Sequence, residues 1–504
     1  MHLANGNIET LIVCAMLTML AAFLTVVLSV ICGATIAFHA RPTVRYGIAL
    51  AVLFVPFAIG GSVWAYSVTR WASWCGLQGD LVSSGTFSRA TALLLFCLAR
   101  TVPLGTFFCV TTLQRYTSEI RPYFQTHQLR LPFFLLCGLN RIPKSILMLL
   151  GLFGGAVMAS EASLPIFLYR ANPGTGPETA NILLARLFRE IYASVGSESL
   201  SQVATLGVVV SLILLLAALF GTWAGRGILF LLRSFLGRST VLSGTSSSIF
   251  SILPRSVMIL SFSPGILALV GLLIPNHLTG LAPASAVDTL FDYREIVILG
   301  AFVAGTITSI GIAIAVRLRY SRRDLLALLE NRPLAAGLLL LPAFVPVLSV
   351  VAVLGKISHG QMSGVPGYAS LFISHVALHY SIFQFICMAL IAAIPERHVA
   401  WQRTMKLSYS FSLVTDGFKR YAAVIVSLIG LGTVQVVTDG SISRWFSHLV
   451  KAPEEALYAA VFGRLSSAAE AEIIAWTVAI VAVAVCVVLA AAYVRELKSR
   501  PRYA

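Results

Sequence analysis

The stretches ALLLFCLARTVPLGTFFC (Ala92–Cys109) and SLFISHVALHYSIFQFIC (Ser370–Cys387) decide how this chain is read. Laid over each other, Ala99 falls on Ala377, Phe107 on Phe385 and Cys109 on Cys387, all at one constant displacement. At the same displacement Thr126 meets Thr404 and Leu129 meets Leu407, and the apolar runs ending at Phe38 and Val316 also coincide. Pro56 in LFVPFAIGG aligns with Pro342 in LLLPAFVP at a slightly larger one, with the insertion confined to the Arg317–Arg332 loop. Insertions that stay in loops are what an internal repeat produces.

The composition says what solvent surrounds these runs. Of 504 residues, 58% are hydrophobic and 11% charged, against about 25% charged in a soluble domain. Apolar runs of spanning length lie near 10–38, 46–68, 89–113, 145–165, 200–222, 256–274, 294–316, 333–355, 369–394, 420–437 and 470–494, about eleven spans. The expected fold is an all-α polytopic membrane protein. It divides into a first repeat (1–225, five spans), a linker (226–255) and a second repeat (256–504, six spans).

The net charge of +16 would suggest nucleic acid in a soluble protein. Here the basic residues sit in alternate loops: Arg41 and Arg45; Arg115 to Lys144; Arg226 to Arg255; Arg317 to Arg332; Arg397 to Arg420; and the tail from Arg495. Roughly 25 of the 36 basic residues lie on that side, which the positive-inside rule makes cytoplasmic. The C-terminus is therefore expected inside. No basic n-region precedes Arg41, so no cleavable signal is expected. The second half has one leading span more than the first, so either the amino terminus is short or the start lies upstream. A period of six spans leaves both copies facing the same way.

Each copy has a long loop on the basic side, 114–144 and 395–419, and a long outer loop, near 166–199 and 438–469. This layout resembles the permease subunits of binding-protein-dependent (type I) ABC importers, most of all the fused two-copy permeases of the ferric-iron and thiamine group. The family signature, EAA-x3-G-x9-I-x-LP, marks a helix that docks on an ATPase subunit. The first copy here reads FQTHQLRLPFFLLCGLNRIP, with Gln125 and Thr126 within the Glu-Ala-Ala position, Arg130 for the glycine and Pro143 for the proline. The second reads QRTMKLSYSFSLVTDGFKRY, with Gln402, Arg403 and Thr404 for Glu-Ala-Ala and Ser408 for the glycine. Trp401, Met405, Leu407, Tyr409 and Phe411 can supply apolar anchors there; an interfacial helix without a partner would use the same residues.

The resemblance implies two ATP-binding partner subunits, a periplasmic binding protein, a place in the inner membrane, and ferric iron or thiamine as the type of cargo. No GxxxxGK[ST] loop, nucleophile elbow or HExxH occurs, so ATP hydrolysis is assigned to the partner, and no enzyme activity or cofactor is expected. An ion-gradient-driven secondary transporter is the alternative; a membrane enzyme or scaffold would need a polar cluster at one depth.

Three further residues are candidates for the pathway or gate. Arg100 lies mid-span, where a charge costs about 3 kcal/mol or more and has to face water, a pathway or a partner. Glu161 and Asp439 each follow the fourth aligned span, near a Gly-Glu that the family places at the outer gate. His375 and His379 have the spacing of metal ligands, but no third ligand is evident in the sequence. Core or pore-lining roles are the expectation for them.

Overall fold

The computed structural model describes residues 5–39, 51–76, 86–127, 138–140, 142, 144–161, 199–242, 249–274, 291–320, 363–392, 394, 396–443, 446–461 and 468–499. All elements among them are helical, as lipid demands of a chain whose backbone groups must find partners within their own segment. In chain order they are α1 (Asn5–His39), α2 (Val55–Ala58), α3 (Gly61–Trp74), α4 (Thr86–His127), α5 (Lys144–Ser160), α6 (Ser199–Leu242) and α7 (Ile249–Leu273). The remainder are α8 (Arg294–Tyr320), α9 (Gly364–Ala392), α10 (Glu396–Thr404), α11 (Tyr409–Ser412), a π-helical turn (Leu413–Lys419), α12 (Ala422–Thr438), α13 (Gly440–Ser443), α14 (Pro453–Val461) and α15 (Ala468–Ser499).

Among the described residues six helices are long and apolar enough to cross a membrane: Ile8–Phe38, Ala90–Leu113, Thr205–Leu236, Arg255–Leu273, Arg294–Tyr320 and Ala468–Ala492. A seventh arises if Tyr409–Lys419 and Ala422–Thr438, bent by 70°, count as one. The chain is a multi-pass membrane protein. The expected span 333–355 lies outside the described residues. The expected span 46–68 is broken in two, as α2 and α3, and the linker 226–255 is helical to Leu242 and again from Ile249.

Packing in the two halves agrees for the first three equivalent helices and differs for the last, α6 and α15. Helix α1 lies against α4, α5 and α6, while α8 lies against α9 and α12, and α12 against α15. Helices α5 and α12 are both 17 residues long, and their first residues, Lys144 and Ala422, stand at the displacement of the repeat. Fully buried side chains recur in the same register, as Leu93 and Leu371, Cys109 and Cys387, Leu150 and Leu428. So does a close approach. A Cβ at Gly33 of α1 would overlap that of Cys109 on α4; one at Gly311 of α8 would lie 3.0 Å from Cys387 Sγ on α9. Small residues at such crossings let helices approach where no hydrophobic drive separates protein from lipid.

The halves differ at the C-terminal ends of α4 and α9. Helix α4 runs unbroken to His127, whereas α9 stops at Ala392 and α10 begins at Glu396. The sequence has Thr117 in one copy and Pro395 in the other, and proline lacks the N–H that a helix interior needs.

The crossings predict a graded mutant series. Gly33→Ala should destabilise the protein in detergent by the cost of overpacking, about 1–3 kcal/mol, and lower its melting temperature. Gly311→Ala should cost less, because Cys387 Sγ can turn away. Gly305→Ala, which meets nothing within 4 Å, should be neutral or stabilising; equal losses at all three positions would contradict the packing.

Candidate functional site

Two carboxylates close the equivalent helices. Glu161 follows the last residue of α5 and Asp439 the last residue of α12, so the two acids are repeat equivalents. Each meets a basic side chain from the neighbouring span. Arg100 Nη1 of α4 donates to Glu161 Oε2 at 3.0 Å, the two side chains being 15% and 4% exposed. The guanidinium also lies over the Phe96 ring, 5.8 Å from its centroid. In the second half Leu378 stands at the position of Arg100, and the neighbour one residue on, His379, places Nε2 3.4 Å from Asp439 Oδ2. His375, one turn earlier on α9, stacks on His379 with ring centroids 5.9 Å apart and planes at 9°.

Between these two centres lies the break in the second span. Pro56 sits in the first turn of α2, Ile59 and Gly60 are extended, and α3 restarts at Gly61. The carbonyls released there are taken up by side chains: Trp64 Nε1 donates to Pro56 O at 3.1 Å, and Gln435 of α12 donates to Phe57 O. Ser62 donates to the carbonyl of Thr438, and a Cβ at Gly60 would overlap the Thr438 side chain. A Cβ at Gly61 would lie 3.4 Å from Arg100 Nη1 and from both Glu161 carboxylate oxygens. The positive end of α3 therefore faces a carboxylate, a favourable arrangement. These contacts bring the first half's broken helix against the end of the second half's α12. Gly60, Gly61, Ser62 and Gln435 were not legible as site residues; Pro56 alone marked a kink in this span.

The basic loop of the second half is a built object. Arg403 donates from Nε to Tyr320 O at 3.2 Å and from Nη2 to Arg319 O, so α10 caps the last carbonyls of α8. Gln402 is buried, with Nε2 3.1 Å from His398 Nε2 and Oε1 accepting from Ser412 at 3.1 Å. Asp416 is buried, accepts from Tyr320 Oη, and lies 3.0 Å from His398 Nε2. Ser408, standing for the family glycine, accepts the Phe411 N–H and caps α11, while Lys406 makes the turn with φ of 51°. Thr404 bonds back to the Ala400 carbonyl. Tyr409 donates to Ala313 O at 2.7 Å, an anchor on α8 and not on lipid. Trp401, Met405, Phe411 and Val414 remain exposed. In the first half Gln125 and Thr126 fall on the last turns of α4, and Arg130 and Pro143 lie outside the described residues.

A polar cluster joins the start of α8 to α15. Lys451 Nζ lies 2.9 Å from Asp292 Oδ2 and 3.4 Å from Glu470 Oε1, and Tyr293 Oη donates to Glu470. The bond to Asp292 pushes the Lys451 ammonium above its ordinary pKa, and burial, then the Glu470 bond, raises that of the Tyr293 phenol.

No family model, curated protein or solved structure matches this chain.

The buried pair yields a double-mutant test. Arg100→Leu strips Glu161 of its guanidinium and should cost about 3–5 kcal/mol, the usual penalty for breaking a buried pair from one side. Adding Glu161→Leu should recover most of that loss in thermal melts. Additive losses would mean that the two side chains are not coupled.

Proposed function

We propose that the chain is the membrane permease of an ATP-driven importer, of the fused two-copy kind. The observation that carries this reading is the Glu396–Ser412 handle. It is two short helices with a capped turn, clamped to the end of α8 by Arg403, with Trp401, Met405 and Phe411 left exposed. A rigid handle with an aromatic anchor is what an external motor needs if its closure is to move a transmembrane helix. An interfacial helix on lipid would not require the end of α8 to be gripped.

The repeated packing of α1, α4 and α5 and of α8, α9 and α12 supports two permease copies of the type I importer fold. On this reading about eleven spans are expected in total, with the C-terminus inside and the chain in the inner membrane. One ATPase subunit docks at residues about 397–414, the other at about 118–135, and a periplasmic receptor delivers the cargo to the outer loops. Ferric iron and thiamine are the cargo types that the layout suggests. The α2–α3 break supports a pathway between the halves, since broken helices line transport routes. The chain's own part is mechanical and selective, and hydrolysis belongs to the partner. A second reading draws on His379 and Asp439: a buried titratable pair in the bundle is what an ion-coupled secondary transporter would use.

Two measurements separate these. Tagged full-length protein purified from its native cells should bring down a nucleotide-binding subunit identified by mass spectrometry. Trp401→Glu with Met405→Glu should weaken that association by about 30-fold, the cost of an interface hot spot, without changing the melting temperature. In proteoliposomes, uptake without ATPase that collapses with an ionophore would favour the ion-coupled reading instead.

A further inference from the structure

We propose that His375, His379 and Asp439 form a binding site for a divalent transition-metal ion inside the membrane. One ligand atom from each comes within 4.8 Å of the others. The two histidines are buried and sit one turn apart on the same face of α9, and Asp439 arrives from the end of α12. His375 is fully buried, and neither of its ring nitrogens has a hydrogen-bond partner among the described residues. Leaving such a group unsatisfied costs about 1–3 kcal/mol, so a sequence that retains it there has a use for the nitrogen. A metal ion supplies that use.

The spacing suits a small ion. Bonds of about 2.0 Å in a tetrahedron put ligand atoms roughly 3.3 Å apart. His379 Nε2 and Asp439 Oδ2 already stand at 3.4 Å, so His375 is the ligand that closes in. Two imidazoles and one carboxylate favour zinc, cobalt, nickel or ferrous iron over magnesium or calcium. Three protein ligands leave a fourth position for water or an exchanging group, the pattern of metal sites that are not merely structural.

The first half is the internal control. In the register of the repeat the three positions carry Cys97, Thr101 and Glu161. There Arg100 provides a fixed cation 3.0 Å from the carboxylate. The second half has Leu378 in that place and two imidazoles around the acid. One half thus holds its own positive charge, and the other is arranged to receive one. The inference rests on these residues and not on the import reading.

The test uses full-length protein in detergent, stripped with a chelator, then titrated with Zn²⁺ by calorimetry and measured by zinc X-ray absorption. One tightly bound Zn²⁺ per chain is expected, retained in a large excess of Mg²⁺, with two imidazoles in its shell. His375→Gln and Asp439→Asn should each weaken binding by more than the roughly 10–100-fold that loss of an outer partner costs. His398→Gln, outside the cluster, should leave it unchanged. Absence of binding, displacement by Mg²⁺, or a shell with fewer than two imidazoles overturns the proposal; so does equal weakening by His375→Gln and His398→Gln. Should the cluster variants fail to fold, the absorption spectrum of the unaltered protein decides alone.

Discussion

A helix interrupted inside lipid survives only if the carbonyls it releases find donors, from neighbouring helices or from water in a cavity. The rest of the arrangement depends on how that demand is met at Phe57–Gly61. Trp64 satisfies one carbonyl from within the segment, but Gln435 reaches across from α12 to satisfy another. Ser62 returns the favour to the last carbonyl of α12. Because the donor and acceptor come from opposite halves, the break cannot relax without disturbing the end of α12, and with it Asp439. Helix α7 reinforces this junction: Ser67 Oγ and Trp71 Nε1 donate to the carbonyls of Ala268 and Leu267 at 2.9 and 2.8 Å. Helix α7 is thus seated on the broken span.

The close crossings set the rigidity around that junction. Gly33 against Cys109 and Gly311 against Cys387 bring α1 to α4 and α8 to α9 with no room for a methyl group at the first and little at the second. Helices packed so tightly move as bodies. Arg403 grips α8 at its Arg319–Tyr320 end, and α8 lies against α9 and α12, which hold the His379–Asp439 pair.

Sequence reading captured the parts of this that are written in apolar run length and in repetition. The spans near 10–38, 89–113, 200–222, 256–274, 294–316 and 470–494 all reappear as helices, because about twenty apolar residues in lipid have one solution. The constant displacement between the copies predicted the matching of Cys109 with Cys387, and the two positions are buried alike. Arg100 was legible as a residue needing a partner, and Glu161 as a boundary acid, but nothing in one dimension joined them across 61 residues. His375 and His379 were legible as a pair; their third neighbour, Asp439, arrives from the end of a different helix and could not be seen. Run length gave one span at 46–68, and Pro56 marked it for the kink at which cross-half hydrogen bonds now hold two pieces; run length gave no sign that α4 would continue unbroken to His127.

The deepest difference between the halves comes from a one-residue change of partner. Both place a carboxylate at the end of the fourth aligned span, and both bring a basic group to it from the third. In the first half that group is a guanidinium, which donates a directed bond to the carboxylate at 3.0 Å. In the second half the basic residue stands one position further on and is an imidazole, His379, 3.4 Å from the carboxylate. A helix turns about 100° per residue, so that step also moves the side chain around α9 and puts it in line with His375, one turn back. One centre is thus a guanidinium–carboxylate clasp and the other an imidazole–carboxylate one.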